Sequence, residues 1–214
     1  VSTNLAFTFA ESGYKVILLD CDLRLPNVAK SLKIEHDSGL LDYIQNEANL
    51  EDVIEQEVFP NLDILAAGGR SRTPMTVFNN ANFSALIEDL RQYYDKIIID
   101  SPPLAAVSDA LNIIPLVDGI IFVVKSNTVK RNTATTTVRK LSEAGKPIFG
   151  VVLNNMKSKA AEYYYSEYYT GHYKSYYAAR EDATPSPNAS RQLRQKPRVA
   201  KNIDLGEQTG EAQA

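Results

Sequence analysis

Five apolar runs, the second of them weaker, separated by stretches of helical periodicity, limit what this chain can fold into. They span residues 15–20, 62–66, 96–100, 119–124 and 148–153. A strand with one wet face alternates apolar and polar residues. Continuous runs of this length therefore predict strands covered on both faces, as in a parallel sheet. The intervening periodicity predicts helices over 1–13, 39–46, 50–56, 79–94, 108–116 and 131–144. Gly13 closes the first, and Gly145 with Pro147 closes the last. Alternation at this spacing predicts an α/β fold with helices on both faces of a parallel sheet.

In such sheets ligands bind beyond the carboxyl ends of the strands. Two of the runs end there in acids, Asp20 and Asp100. The first continues Asp20-Cys21-Asp22-Leu23-Arg24-Leu25-Pro26. If the backbone stays extended, Asp20 and Asp22 point to the same side. Two such carboxylates make a hard oxygen site suited to Mg²⁺, and one of them can take a proton from an attacking hydroxyl. Arg24 adds a fixed positive charge able to pair with phosphate or with these acids. The plainer account of a strand-end Asp is solvation or helix capping. The second run, Lys96 to Asp100, is followed by Ser101-Pro102-Pro103, and the prolines force the chain out of regular structure. Four apolar residues and an Asp have the form of a Walker B strand, whose acid orients metal-bound water.

Composition closes off other classes. One cysteine, Cys21, excludes an internal disulfide framework and a multi-cysteine zinc site. Its acidic neighbours argue against a reactive thiolate. A net charge of −3 gives no basic field for nucleic acid. No apolar run approaches the roughly 18 residues that span a bilayer. The 214 residues fit one domain with a tail. Residues 183–214, rich in Pro, Gln, Ser and Asn, are expected to be disordered. The expected division is therefore 1–155, 156–182 and 183–214.

The middle segment holds the compositional anomaly. Eight of the 12 tyrosines, Tyr163, Tyr164, Tyr165, Tyr168, Tyr169, Tyr173, Tyr176 and Tyr177, fall in 15 residues. Their spacing fits neither a helical face nor strict alternation. Three readings stand: an aromatic packing strand, a surface that stacks on sugars or bases, and a phosphoacceptor segment.

Together, the stretch from Ile17 to Pro26 and that from Ile97 to Pro103 resemble the Walker A′ and Walker B motifs of bacterial tyrosine kinases. These are deviant-Walker P-loop ATPases related to MinD- and ParA-like proteins. Asn4-Leu5-Ala6 resembles the helix after the family's phosphate loop. Leu65-Ala66-Ala67-Gly68-Gly69 resembles the exit of its next strand, and the stretch Gly150 to Asn154 its last strand. The resemblance covers residues 1–177. It implies ATP and Mg²⁺ as cofactors, with Asp20, Asp22 and Asp100 catalytic and Asp22 and Asp100 at the metal. It implies Arg24 and Asn154 near the nucleotide, and the eight clustered tyrosines as autophosphorylation sites.

It also implies a ring-like homo-oligomer with trans-phosphorylation and a membrane polysaccharide co-polymerase domain or adaptor. A cognate tyrosine phosphatase, and work at the inner face of the cytoplasmic membrane on capsule or exopolysaccharide export, belong to the same picture. Alternatives on the same fold are a partitioning ATPase and a degenerate, non-catalytic interaction protein; the tyrosine-rich segment argues against the first.

The family's phosphate loop, Gly-x-Gly-Lys-Ser/Thr-Thr, is expected immediately before Val1, and no G-x-x-x-x-G-K-[ST] occurs among the 214 residues. The expectation is a fragment whose first strand and loop lie upstream. That loop supplies the amide cradle and lysine for the phosphates. The 214 residues by themselves should therefore bind Mg·ATP poorly or not at all in isothermal titration. Micromolar binding would contradict this.

Overall fold

A computed structural model describes residues 1–35, 38–104 and 108–156. The eight clustered tyrosines and residues 183–214 lie outside the described residues. Contacts divide the chain into two bodies, Ser2–Pro102 and a second that begins at Pro103.

The first body runs α1 (Ser2–Glu11), β1 (Val16–Asp20), α2 (Val28–Leu32), α3 (Leu40–Ile44), α4 (Leu50–Val53), β2 (Ile54–Phe59), β3 (Leu62–Leu65), α5 (Pro74–Phe78), α6 (Ala81–Tyr93) and β4 (Lys96–Asp100). The sheet order is β2-β3-β1-β4. β1 pairs in parallel with both β3 and β4, whereas β2 pairs antiparallel with β3. All five residues of β1 are buried, which is why its sequence is a continuous apolar run. Val16 and Leu18 pack with Ala6 and Ala10 of α1, together with Leu62 and Ile64 of β3. Small alanines let the helix approach the sheet closely. Ile17 and Leu19 alternate to the other face and are equally buried.

α6 buries Phe83, Leu86, Ile87 and Leu90 at helical spacing, worth roughly 1.5–3 kcal/mol each by area removed from water. Asn80 caps it, its side-chain oxygen accepting from the Asn82 amide at 2.9 Å. The second body contains α7 (Asp109–Ile113), a 3-10 turn (Ile114–Leu116), β5 (Ile120–Lys125), α8 (Arg131–Glu143) and β6 (Ile148–Asn154), with β5 and β6 parallel.

The five expected strands are present. A sixth, β2, departs from the expected helix over 50–56. That helix stops at Val53, and the chain turns into strand at Ile54. Pairing with β3 and a bulge with Glu57 at φ 54° override the short helical pattern. The bulge is held from the sheet: the Glu57 amide donates to Asp63 Oδ1 at 2.7 Å.

Asp63 is also the partner of Tyr94, which follows α6. Tyr94 is buried, and its hydroxyl donates to Asp63 Oδ2 at 2.7 Å. Burial first, and the neighbouring carboxylate second, push the phenol well above its ordinary range. The Lys15 ammonium lies 5.1 Å from the Tyr94 ring centre, within cation–π range. Tyr94→Phe removes one donor from a nearly buried carboxylate. It should cost roughly 1.5–3 kcal/mol in urea denaturation. An unchanged unfolding midpoint would show that the pair contributes nothing.

Candidate active site

β1 and β4 lie side by side and in register, with Asp20 opposite Asp100. The two acids that end the apolar runs therefore stand together at the carboxyl edge of the sheet. The chain after β1 is tied to the same place, because the Cys21 amide donates to the Asp100 carbonyl at 2.8 Å.

Asp20 is 1% exposed, a position a carboxylate occupies only when well satisfied. Three backbone amides supply that. Asp20 Oδ1 accepts from Asp22 N at 3.2 Å, and Oδ2 accepts from Asn27 N at 3.0 Å and Val28 N at 2.9 Å. The last two belong to the start of α2, so the capping role open to a strand-end acid is real here. It coexists with access to a cavity, because Asp20 also lines one. Burial raises its pKa, the three amides lower it, Asp100 raises it further, and the net shift is upward. Asp100 is also raised, by burial first; a hydrogen bond from the Ser2 side chain opposes this and the Asp22 charge adds to it.

Asp22 departs from the extended geometry expected of it. The strand ends at Asp20, and the backbone folds back so that the Asp22 amide reaches Asp20. Asp22 Oδ1 then accepts from Arg24 N at 3.3 Å and Leu25 N at 3.1 Å. This is a turn closed by an aspartate side chain, and it replaces the shared side that two-residue spacing suggested. Asp22 stays electrostatically close to Asp100 all the same. Arg24 is exposed on this turn. Cys21 is fully buried, and its thiol is pushed well up by burial, then by Asp20 and Asp100. The direction agrees with the thiol expected from the sequence, with Asp100 rather than Asp22 as its second acidic neighbour.

Beside Asp20 opens a cavity of about 290 Å³, lined by Asp20, Asn27 and Lys30 on one side and by residues 66–69 on the other. That opposite wall is set by α3. Leu40 N donates to the Ala66 carbonyl at 2.8 Å and Leu41 N to the Ala67 carbonyl at 3.1 Å. Gly39 and Gly68 touch backbone to backbone. A methyl on Gly39 would collide with the Ala66 carbonyl and the Gly68 amide, and one on Gly68, which sits at φ +73°, would strike Asp42. Asp42 closes the clamp by accepting from Gly39 N at 2.6 Å. The Ser71 amide then donates to the Leu23 carbonyl at 2.8 Å, joining this wall to the Asp22 turn.

Asn154 ends β6 in the second body, where it faces Lys125 in register and its side-chain oxygen accepts from Asn155 N at 2.9 Å. Asp20 and Asp100 thus stand side by side with Asp22 close to them, Arg24 lies exposed on the adjoining turn, and Asn154 is described only within its own body.

Asp20, Asp22 and Asp100 offer oxygen donors alone. Among the described residues no group of three or more His, Cys, Asp or Glu side chains is arranged to hold a metal. One or two carboxylates with retained waters and substrate phosphates suit Mg²⁺, which rarely takes an all-protein cage. The donor set therefore fits that ion bound with a nucleotide.

The family model described as "AAA domain" matches residues 1–147. Tyrosine-protein kinase CpsD of Streptococcus agalactiae serotype III is 32% identical over 163 residues, covering 76% of this chain and 70% of CpsD. The VpsO kinase domain superposes with a TM-score of 0.69 at 36% identity, over 73% of this chain and 77% of that one. The septum site-determining protein MinD of Pyrococcus horikoshii, solved with Mg-ADP, gives a TM-score of 0.59 at 23% identity, over 75% and 69% of the two chains. At that identity it shares the fold alone. The chain belongs to the bacterial tyrosine-protein kinases, a branch of the nucleotide-binding P-loop ATPases.

Proposed function

We propose that this chain carries the carboxylates of an ATP- and Mg²⁺-dependent tyrosine autokinase, with Tyr163 to Tyr177 as its acceptor segment. The observation that carries this is the register of Asp20 with Asp100 at the cavity's edge. Asp22 and Asp100 would hold Mg²⁺ through water, and the ion would offset charge on the transferring phosphate. Asp20 is the base. Its burial-raised pKa brings it toward the range useful for proton transfer, and it lines the cavity where Asp22 does not. The phenol oxygen forms a bond to the γ-phosphorus as the bond to the ADP oxygen breaks, and the phenolic proton passes to Asp20 Oδ1. Arg24 stands by to pair with phosphate, and Asn154 to contact the adenine.

On this reading residues 1–155 handle nucleotide, 156–182 accept phosphate, and 183–214 form a tail. Each phosphate adds about −1.5 to −2 charge. Several in one short segment repel one another and drive it out of a neighbour's site, so a ring of copies limits its own assembly. A polysaccharide co-polymerase domain or adaptor would hold the kinase at the cytoplasmic face of the membrane, a cognate phosphatase would reset it, and capsule or exopolysaccharide export would be the process controlled. No described helix is long and apolar enough to cross a membrane.

The full-length protein should transfer labelled γ-phosphate from ATP to tyrosine. Asp20→Asn should lower kcat roughly 10²- to 10⁴-fold; near-normal turnover would remove it as the base. Replacing the eight clustered tyrosines by Phe should abolish most of the phosphotyrosine, and an unchanged signal would refute the acceptor assignment.

Asp100→Asn should separate function from stability. Burial holds the folded pKa of Asp100 above its ordinary 3.8, so its contribution to stability is present below that value and lost as pH rises through the folded pKa. The Asn variant should lose transfer yet melt higher than the wild type at pH 7. The gain should vanish as pH falls below about 4. A variant that melts lower at pH 7 would contradict the assigned cause.

A further inference from the structure

We propose that Lys30 determines specificity: at the cavity beside Asp20 it favours tyrosines within two residues of a glutamate over those beside Lys174. This rests on the kinase reading above and names which acceptors that site prefers.

The cavity is electrically polar along its depth. Of the residues lining it, only Asp20 and Lys30 carry full charge. Asp20 is buried, and Lys30 is exposed. Their separation is fixed by the fold, because the Asp20 carboxylate holds the amides of Asn27 and Val28, and Lys30 follows two residues later on α2. The remaining lining is small or uncharged, with alanines and glycines forming the opposite wall. That wall carries no side chain larger than a methyl and supplies no second anion to compete for Lys30. Arg70 and Arg72 are exposed on the adjoining loop, which the Ser71–Leu23 hydrogen bond ties to the site. They extend the positive rim. A phenol reaching Asp20 therefore leaves its flanking residues among cations.

The acceptor segment splits on this criterion. Tyr163, Tyr164, Tyr165, Tyr168 and Tyr169 each lie within two residues of Glu162 or Glu167. Tyr173 and Tyr176 lie within two residues of Lys174 instead, and Tyr177 has no acid within two residues. Charge complementarity with Lys30 favours the first five.

The test is phosphosite mapping by mass spectrometry at low extents of reaction, in the full-length protein. The readout is the ratio of proximal (163–169) to distal (173–177) phosphate within each molecule, which general damage to the fold would not shift. Wild type should favour the proximal group. An exposed charge pair contributes a modest amount, so Lys30→Gln should reduce the ratio roughly 2- to 5-fold. Lys30→Glu should reduce it further. Exchanging the tail charges by Glu162→Lys, Glu167→Lys and Lys174→Glu in a wild-type catalytic body should move early phosphate to the distal group. That variant keeps the test decisive if the Lys30 variants fold poorly. Phosphotyrosine with a ratio indifferent to Lys30 and to the tail charges overturns the Lys30 assignment alone. A wild type that forms no phosphotyrosine overturns this inference together with the kinase reading.

Discussion

Three backbone amides converge on the Asp20 carboxylate, and the geometry of the site follows from that. They satisfy a charge at the inner end of the strand that would otherwise be too costly to bury. In doing so they fold the chain after β1 back on itself, start α2, and place Lys30 and Asn27 along one cavity wall. Asp100 is brought alongside by parallel register. The result is a pair of acids that the surrounding protein keeps partly destabilised, both shifted upward with burial as the main cause. Such a site fits a role in which a cation or a transferred proton relieves the charge.

The opposite wall is built by a separate device. Gly39 and Gly68 allow two backbones to meet, and Asp42 locks the contact. The loop after β3 is thereby held against the turn after β1 through Ser71 and Leu23. The sheet supplies position, the Asp20 turn supplies one wall, and the glycine clamp supplies the other. Transfer to a phenol needs such a rigid frame, because phosphoryl transfer is chiefly positioning and charge neutralisation.

The sequence disclosed the strands well because β1 is buried on both faces and must be apolar throughout. It disclosed Asp20 and Asp100 because each ends such a run. The fold of Asp22 was not legible. Its turn depends on side-chain acceptance from Arg24 and Leu25 amides, whereas spacing alone suggests an extended chain. β2 was hidden because its bulge interrupts alternation and its pairing with β3 is tertiary. Gly39 carried no local signal for its close approach to Gly68, since that contact is more than 20 positions away; Asp42 answers Gly39 only three residues on. Lys30 became visible only once the cavity did.

If the acids at the ends of β1 and β4 form one metal–phosphate end, Asp22 and Asp100 serve the same divalent ion. Electron paramagnetic resonance of Mn²⁺ titrated, in place of Mg²⁺, into the nucleotide-bound full-length protein reads this. Asp100→Asn and Asp22→Asn should each weaken Mn²⁺ binding by at least about ten-fold, in line with the loss of a charged ligand or its orienting partner. Asp52→Asn, on the short helix α4, should leave it unchanged. Equal Mn²⁺ affinity in wild type and in Asp100→Asn would show that Asp100 takes no part in holding the ion.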